Sequence, residues 1–197
     1  MYKDLKELVD INTLRDEAYK CACEHGFHDI EHFDTHWLAL IMSEVGEALN
    51  ADRRDRHAKS NTFNRWYTQL REPNDDNAYA NDFNCFIKDT VEDELADIAI
   101  RILDLAGLRG YDCSEYFDTS VMTLRIPEKD GFSWFCFRLF SIFTNSEDTC
   151  NTTDEILDSA ALDLASYCKQ MDIDLYTHIV WKMKYNELRP KLNGKAY

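Results

Sequence analysis

The feature that most constrains this chain is how rarely its backbone is interrupted: it has only 3 proline and 6 glycine residues among 197. An all-β protein needs many turns rich in Gly and Pro, so this composition favours long helices. Apolar residues recur at helical spacing, which predicts helices over about 3–24, 36–52, 90–108, 152–170 and 173–188. Helices of this length each bury one face, and the pattern therefore predicts an all-α bundle.

The remaining stretches carry weaker signals. Residues 53–88 are mixed and polar, and we expect one short helix around Trp66 within longer loops. The apolar run WFCFRLFSIFT (134–144) predicts a buried helix, although its composition is also compatible with a strand. Residues 111–133 look irregular. Because no repeat or linker divides the chain, we expect a single domain over residues 1–197.

Charge and cysteine content narrow the function classes. The chain has 37 acidic and 22 basic residues, a formal net charge of −15. This disfavours nucleic-acid binding and docking on anionic membranes, because both need clustered Lys and Arg. No apolar run approaches the length of a membrane span. The N-terminal MYKDLKELVD has no apolar signal core, so we expect a cytoplasmic protein whose 7 cysteines are free thiols.

Two carboxylates lie on the wrong side of the helix predicted over 36–52. On a helical wheel Glu44 falls inside the apolar stripe and Glu47 falls at its edge. An ionised carboxylate facing a core is unfavourable by several kcal/mol unless it is paired or binds a metal. Buried salt bridges are the alternative interpretation, but no Lys or Arg lies on this helix to form them.

The helix predicted over 90–108 repeats this pattern. Glu94, Asp97 and Arg101 share one strip beside its apolar face. The alternative is a solvated acidic face with an Asp97–Arg101 pair at i, i+4. With Glu44 and Glu47, the two helices supply ExxE and ExxD, and four converging carboxylates suit Mg²⁺, with Mn²⁺ also acceptable. A di-iron site would normally add ExxH, which does not occur in the chain.

Other side chains are candidates for contacting a substrate. A polar strip on the last predicted helix would suit an anion, and the alternative is an ordinary basic helix end. It contains His178, Lys182, Tyr185, Asn186 and Arg189. Trp37 and His36 lie on the Glu44–Glu47 side of their helix; Trp37 could stack on a base, and His36 could contact the substrate. A core tryptophan and an ordinary histidine at a helix start are the alternatives. The spacing of His25, His28, His32 and His36 would suit zinc only on an unbroken helix, and Gly26 breaks it.

Three blocks of sequence resemble the MazG-like all-α nucleoside triphosphate pyrophosphohydrolases. They are SEVGEALNADRR (43–54), EDELADIAIRILDLAG (92–107) and KMKYNELRPKLNGKAY (182–197). The order ExxE, ExxD and K-x-x-Y-N-x-x-R resembles the pattern of that family, although the blocks cover under a quarter of the chain. The stretches 55–88 and 111–150 are longer than in minimal members, so we interpret them as insertions.

The resemblance implies a four-helix-bundle-type core with extra helices. It also implies Mg²⁺-dependent hydrolysis of a nucleoside triphosphate to a monophosphate and diphosphate. It assigns the metal to Glu44, Glu47, Glu94 and Asp97, and phosphate or sugar contacts to Lys182, Asn186 and Arg189. Family members are homodimers or tetramers, so we expect a homodimer or a dimer of dimers.

From the residues we favour Glu47 as general base, beside Glu44, with Arg101 or the Lys182–Arg189 strip stabilising the leaving group. Two alternatives stay open. One is a non-catalytic helical dimer whose acidic groove binds a cation or a protein partner. The other is a dUTPase-like specialist of the same superfamily.

Overall fold

A computed structural model describes residues 5–65, 75–120, 124–144 and 152–194, and the regular elements among these residues are all helical. The all-α prediction is therefore confirmed. The helices are α1 (Leu5–Leu8), α2 (Ile11–Glu24), α3 (Asp34–Asp52), α4 (Ser60–Arg65), α5 (Asp76–Phe86), α6 (Val91–Arg109), α7 (Gly131–Thr144), α8 (Thr153–Gln170) and α9 (Leu175–Glu187). A short 3-10 turn follows at Lys191–Gly194. No helix in the described ranges is long and apolar enough to cross a membrane.

Local signals explain several helix ends. Thr152 caps α8 through a capping box with Glu155, as the sequence predicts. Gly110 ends α6 in the left-handed conformation, with φ 70°. The apolar stretch that was compatible with a strand is the helix α7, which begins at Gly131.

Two predictions about local structure were wrong. The predicted helix over 3–24 is broken at Asp10, whose side chain accepts a hydrogen bond from the N–H of Asn12 and starts α2. The polar stretch before Phe86 forms the helix α5, capped by Asp75, where we expected loops. The polar composition of this stretch suggested loops, but two buried aromatic residues, Tyr79 and Phe83, anchor the helix. Trp66, proposed as the centre of a short helix, lies outside the described residues, which include α4 as far as Arg65.

The helix α6 is the centre of the fold and packs against α2, α3, α8 and α9. Its side chains are buried on several sides, including Leu95, Ile98 and Ile102. A Cβ on Gly107 would lie 2.6 Å from the Cβ of Tyr19, so glycine allows α2 to approach closely. This packing brings the ends of α2 and α9 next to the polar strip of α6.

A smaller aromatic cluster lies beside the main core. Its buried members come from α4, α5 and α9 and from the residue after α5: Phe63, Tyr79, Phe83, Ile87, Trp181 and Tyr185. The Tyr79 hydroxyl donates a hydrogen bond to the carbonyl oxygen of Trp181 over 2.6 Å, which ties α5 to α9. The packing of α5 on α9 fixes one side of α9, and a second side, which carries Lys182, faces α6.

Candidate metal centre

Three of the predicted carboxylates meet where α3 packs on α6. Glu44, Glu94 and Asp97 each offer an oxygen within 4.8 Å of the other two. Glu44 is 3% exposed and Glu94 is 4% exposed. Apolar neighbours at helical spacing, such as Val45 and Ile98, are buried and hold these carboxylates inward. Oxygen ligands from two rigid helices at this separation match the ligand chemistry of Mg²⁺.

Glu47 has a different position from the other three. It lines the same cleft but is exposed, and it is not part of the close group of oxygens. The helical wheel placed it at the edge of the apolar stripe, and in the fold that edge faces the cleft. The side chain is therefore placed to contact solvent or a substrate in the cleft.

Two cations neutralise part of the carboxylate cluster. The Nε of Arg101 donates a hydrogen bond to Oε1 of Glu44 over 2.5 Å. The Nζ of Lys182 lies 2.8 Å from Asp93 Oδ1 and 2.6 Å from Asp97 Oδ2. Arg101 therefore bridges α6 to α3, and its hydrogen bond is with Glu44 rather than with Asp97 as the alternative interpretation required.

The cluster holds more negative than positive groups. Burial, together with the nearby Asp97 and Asp93 carboxylates, raises the pKa of Glu94 to about 9. Burial also raises the pKa of Asp93 to about 6, although Lys182 opposes the shift. In the described part of the chain, the ion pairs of this cluster do not reach Glu94. A divalent cation at Glu44, Glu94 and Asp97 would supply the missing positive charge.

A cleft of about 180 Å³ opens beside these groups. Its walls include most of the predicted site residues: Glu44, Glu47, Glu94, Asp97, Arg101, Lys182, Asn186 and Arg189. The Oδ1 of Asn186 is buried and has no hydrogen-bond donor among the described residues. An unsatisfied acceptor in the wall would suit a ligand hydroxyl or amine.

Three predicted substrate contacts lie away from this cleft. Tyr185 stacks on Phe83 in the smaller aromatic cluster, with ring centroids 4.3 Å apart, and its hydroxyl donates to Asn84. This tyrosine supports the packing of α9 on α5, and its assignment as a substrate contact stays a prediction. Trp37 and His36 line a neighbouring pocket instead of the carboxylate cleft. The strip residue His178 is buried and pairs with Ser60 over 3.2 Å.

Two acidic residues at the cluster were not found from the sequence. Asp93 is 1% exposed and pairs with Lys182. Asp104 lines the cleft and lies 2.7 Å from Nε2 of His28. The wheel position of Asp93 resembles that of an ordinary first-turn acid of α6, and only the approach of α9 distinguishes it. His28 pairs with Asp104, and His32 stacks on His36 with ring centroids 4.0 Å apart.

Comparisons of the chain with protein families, with curated proteins and with solved structures gave no match.

Proposed function

We propose that this protein is a Mg²⁺-dependent nucleoside triphosphate pyrophosphohydrolase. The reaction is (d)NTP + H₂O to (d)NMP + diphosphate, with housekeeping of the nucleotide pool as its role. The observation that carries the proposal is the group of buried Glu44, buried Glu94 and half-buried Asp97, whose oxygens lie within 4.8 Å of one another. The resemblance of the sequence blocks to MazG-like enzymes supports the choice of reaction.

The residues of the cleft fit a role in this reaction. Glu44, Glu94 and Asp97 would hold Mg²⁺, which supplies polarisation of phosphate oxygens and a more acidic bound water. Glu47, exposed at the cleft, would take the proton of the attacking water as general base. Arg189 lines the same cleft and would stabilise the charge that grows on the diphosphate leaving group.

The charge of the substrate strengthens the case for a metal. A triphosphate is strongly anionic and would be repelled by the carboxylate cluster unless a cation lies between them. Lys182 is held by Asp93 and Asp97, so its ammonium is already committed within the cluster. Metal dependence is therefore a necessary part of the proposal.

The second candidate is a non-catalytic helical dimer with an acidic cation-binding groove. The pairing of Lys182 with Asp93 and Asp97 favours it, because these ion pairs give the acidic residues a structural role that needs no catalysis. The homodimer or tetramer implied by the resemblance is proposed for both candidates, and sedimentation in solution tests it.

To test the proposal, the protein is incubated with Mg²⁺ and each of a panel of nucleoside triphosphates. Release of diphosphate and release of orthophosphate are then measured separately. We expect diphosphate, and we expect Glu44→Gln and Asp97→Asn to abolish turnover while circular dichroism stays unchanged. Glu128→Gln makes the same chemical change at an exposed position and should keep full activity. Orthophosphate as the sole product would overturn the assigned bond. Mg²⁺ binding with no hydrolysis of any nucleotide would support the non-catalytic alternative.

A further inference from the structure

A second pocket lies beside the carboxylate cleft, and we name it the ring pocket. It has a volume of about 140 Å³ and a mostly apolar wall that includes Phe27, Ile30, His36, Trp37 and Leu40. Phe27 lines both the ring pocket and the carboxylate cleft, so the two spaces are neighbours. Charged side chains line the carboxylate cleft, whereas rings and aliphatic groups line the ring pocket. A nucleotide has the same two parts, a charged phosphate chain and a planar base.

The wall of the ring pocket is built from rigid aromatic groups. The Trp37 and His36 rings meet edge to face, with centroids 5.1 Å apart. His32 stacks on His36 with centroids 4.0 Å apart. Trp37 is only 5% exposed, so its ring is fixed by the core behind it. Fixed aromatic surfaces are suited to holding a planar heterocycle.

Position along α3 relates the ring pocket to the carboxylates. Trp37 precedes Glu44 by seven residues, a rise of about 10 Å along the helix on the same side. A sugar and its 5′-phosphate lie between the base and the triphosphate chain of a nucleotide. A base beside Trp37 would therefore leave its phosphates at Glu44 and the cleft.

The volume of the ring pocket indicates the kind of base. A buried cavity of roughly 150 Å³ accepts benzene, a single six-membered ring. At about 140 Å³ the ring pocket has this size, which matches a single six-membered ring more closely than a fused two-ring base. At its edge, Lys191 Nζ donates to Asp29 Oδ2 over 2.5 Å. That pair offers both a donor and an acceptor to the polar edge of a base.

We infer that the ring pocket receives the base of the nucleotide and selects a pyrimidine over a purine. This inference rests on the proposed function, because it assigns the substrate class of the same site. It adds a specificity role for Trp37 and Leu40, neither of which touches the reacting phosphates.

The test measures kcat/KM for diphosphate release from CTP, UTP, ATP and GTP with Mg²⁺. We expect the pyrimidine nucleotides to be preferred by roughly 100-fold. Comparable values for all four would overturn the pyrimidine inference and leave the proposed function standing. Diphosphate release from none of them would overturn both.

Two variants change the pocket in opposite directions. Trp37→Phe removes one ring from the wall and should raise the purine-to-pyrimidine ratio of kcat/KM. Leu40→Phe fills the pocket from a half-buried position and should raise KM for CTP with little change in kcat. If thermal melting shows that Trp37→Phe does not fold, the KM of Leu40→Phe for CTP alone tests the assignment. Phe137→Ala removes an aromatic ring that is 70% exposed on α7, and as the control it should leave the ratio unchanged. A ratio and a KM for CTP that stay constant in the folded pocket variants would contradict the assignment.

Discussion

Replacing Glu94 with glutamine should stabilise the metal-free protein at neutral pH. Burial raises the pKa of this carboxyl from 4.5 to about 9, so at pH 7 it is protonated when folded and ionised when unfolded. Because the pKa is higher in the folded state, the free energy of unfolding is highest below pH 4.5, where the carboxyl is protonated in both states. It falls as the pH rises from 4.5 towards 9. By pH 7 the loss covers 2.5 pH units at 1.36 kcal/mol each, about 3 kcal/mol. Glutamine resembles the neutral acid and does not incur this loss.

Thermal unfolding in a chelator at several pH values measures the effect. For a chain of this size, about 3 kcal/mol corresponds to a rise in Tm of roughly 6–12 °C for Glu94→Gln at pH 7. The two proteins should converge near pH 4.5. Adding Mg²⁺ at about 100 times its Kd should stabilise the wild type by about 2.7 kcal/mol and the variant by less, because one ligand oxygen is lost.

The control is Glu128→Gln, the same chemical change on an exposed side chain. It should alter stability by less than about 0.5 kcal/mol. A Glu94→Gln protein that melts at or below the wild-type temperature at pH 7 without metal would refute the raised pKa of Glu94. A difference between the two proteins that does not change with pH would refute it as well.

Three further measurements test the cluster and the fold. Calorimetric titration should show Mg²⁺ affinity falling about tenfold per pH unit below pH 9, since binding displaces the Glu94 proton; constant affinity would contradict this. Lys182→Met leaves Asp93 and Asp97 without their ammonium and should destabilise the fold by about 3–5 kcal/mol in urea unfolding. An unchanged urea midpoint would show that the pair contributes nothing. Thr152→Ala removes the capping box and should lower stability by about 1 kcal/mol, and an unaltered Tm would exclude a role for the cap.

Strong local signals were enough to predict the long helices. The helix α3 was expected from residue 36 and begins at Asp34, and α6 was expected over 90–108 and spans Val91–Arg109. Apolar periodicity and capping residues act within one or two turns, so they can be read along the chain. The helix α5 was missed because the rings that stabilise it pack on α4 and on α9, and α9 is far away in sequence.

The same division applies to the candidate site. The inward direction of Glu44, Glu94 and Asp97 follows from helical spacing, which the sequence displays directly. Lys182 was expected to contact the phosphate or sugar of a substrate, yet its Nζ binds the carboxylates of Asp93 and Asp97 within the protein. Which cation reaches which carboxylate depends on how α9 lies on α6, and helical spacing within α9 contains no such information.

The sequence by itself determined that this protein is helical and that two of its helices carry acids on their core-facing sides. Both properties depend on the 3.6-residue repeat of a single helix. Only the tertiary structure decided that Tyr185 packs on Phe83 and that Glu47 faces the open cleft. It also decided that Trp37 lines the ring pocket and not the cleft. Those outcomes depend on distances between helices that are remote in the chain, and such distances are established only when the helices pack together.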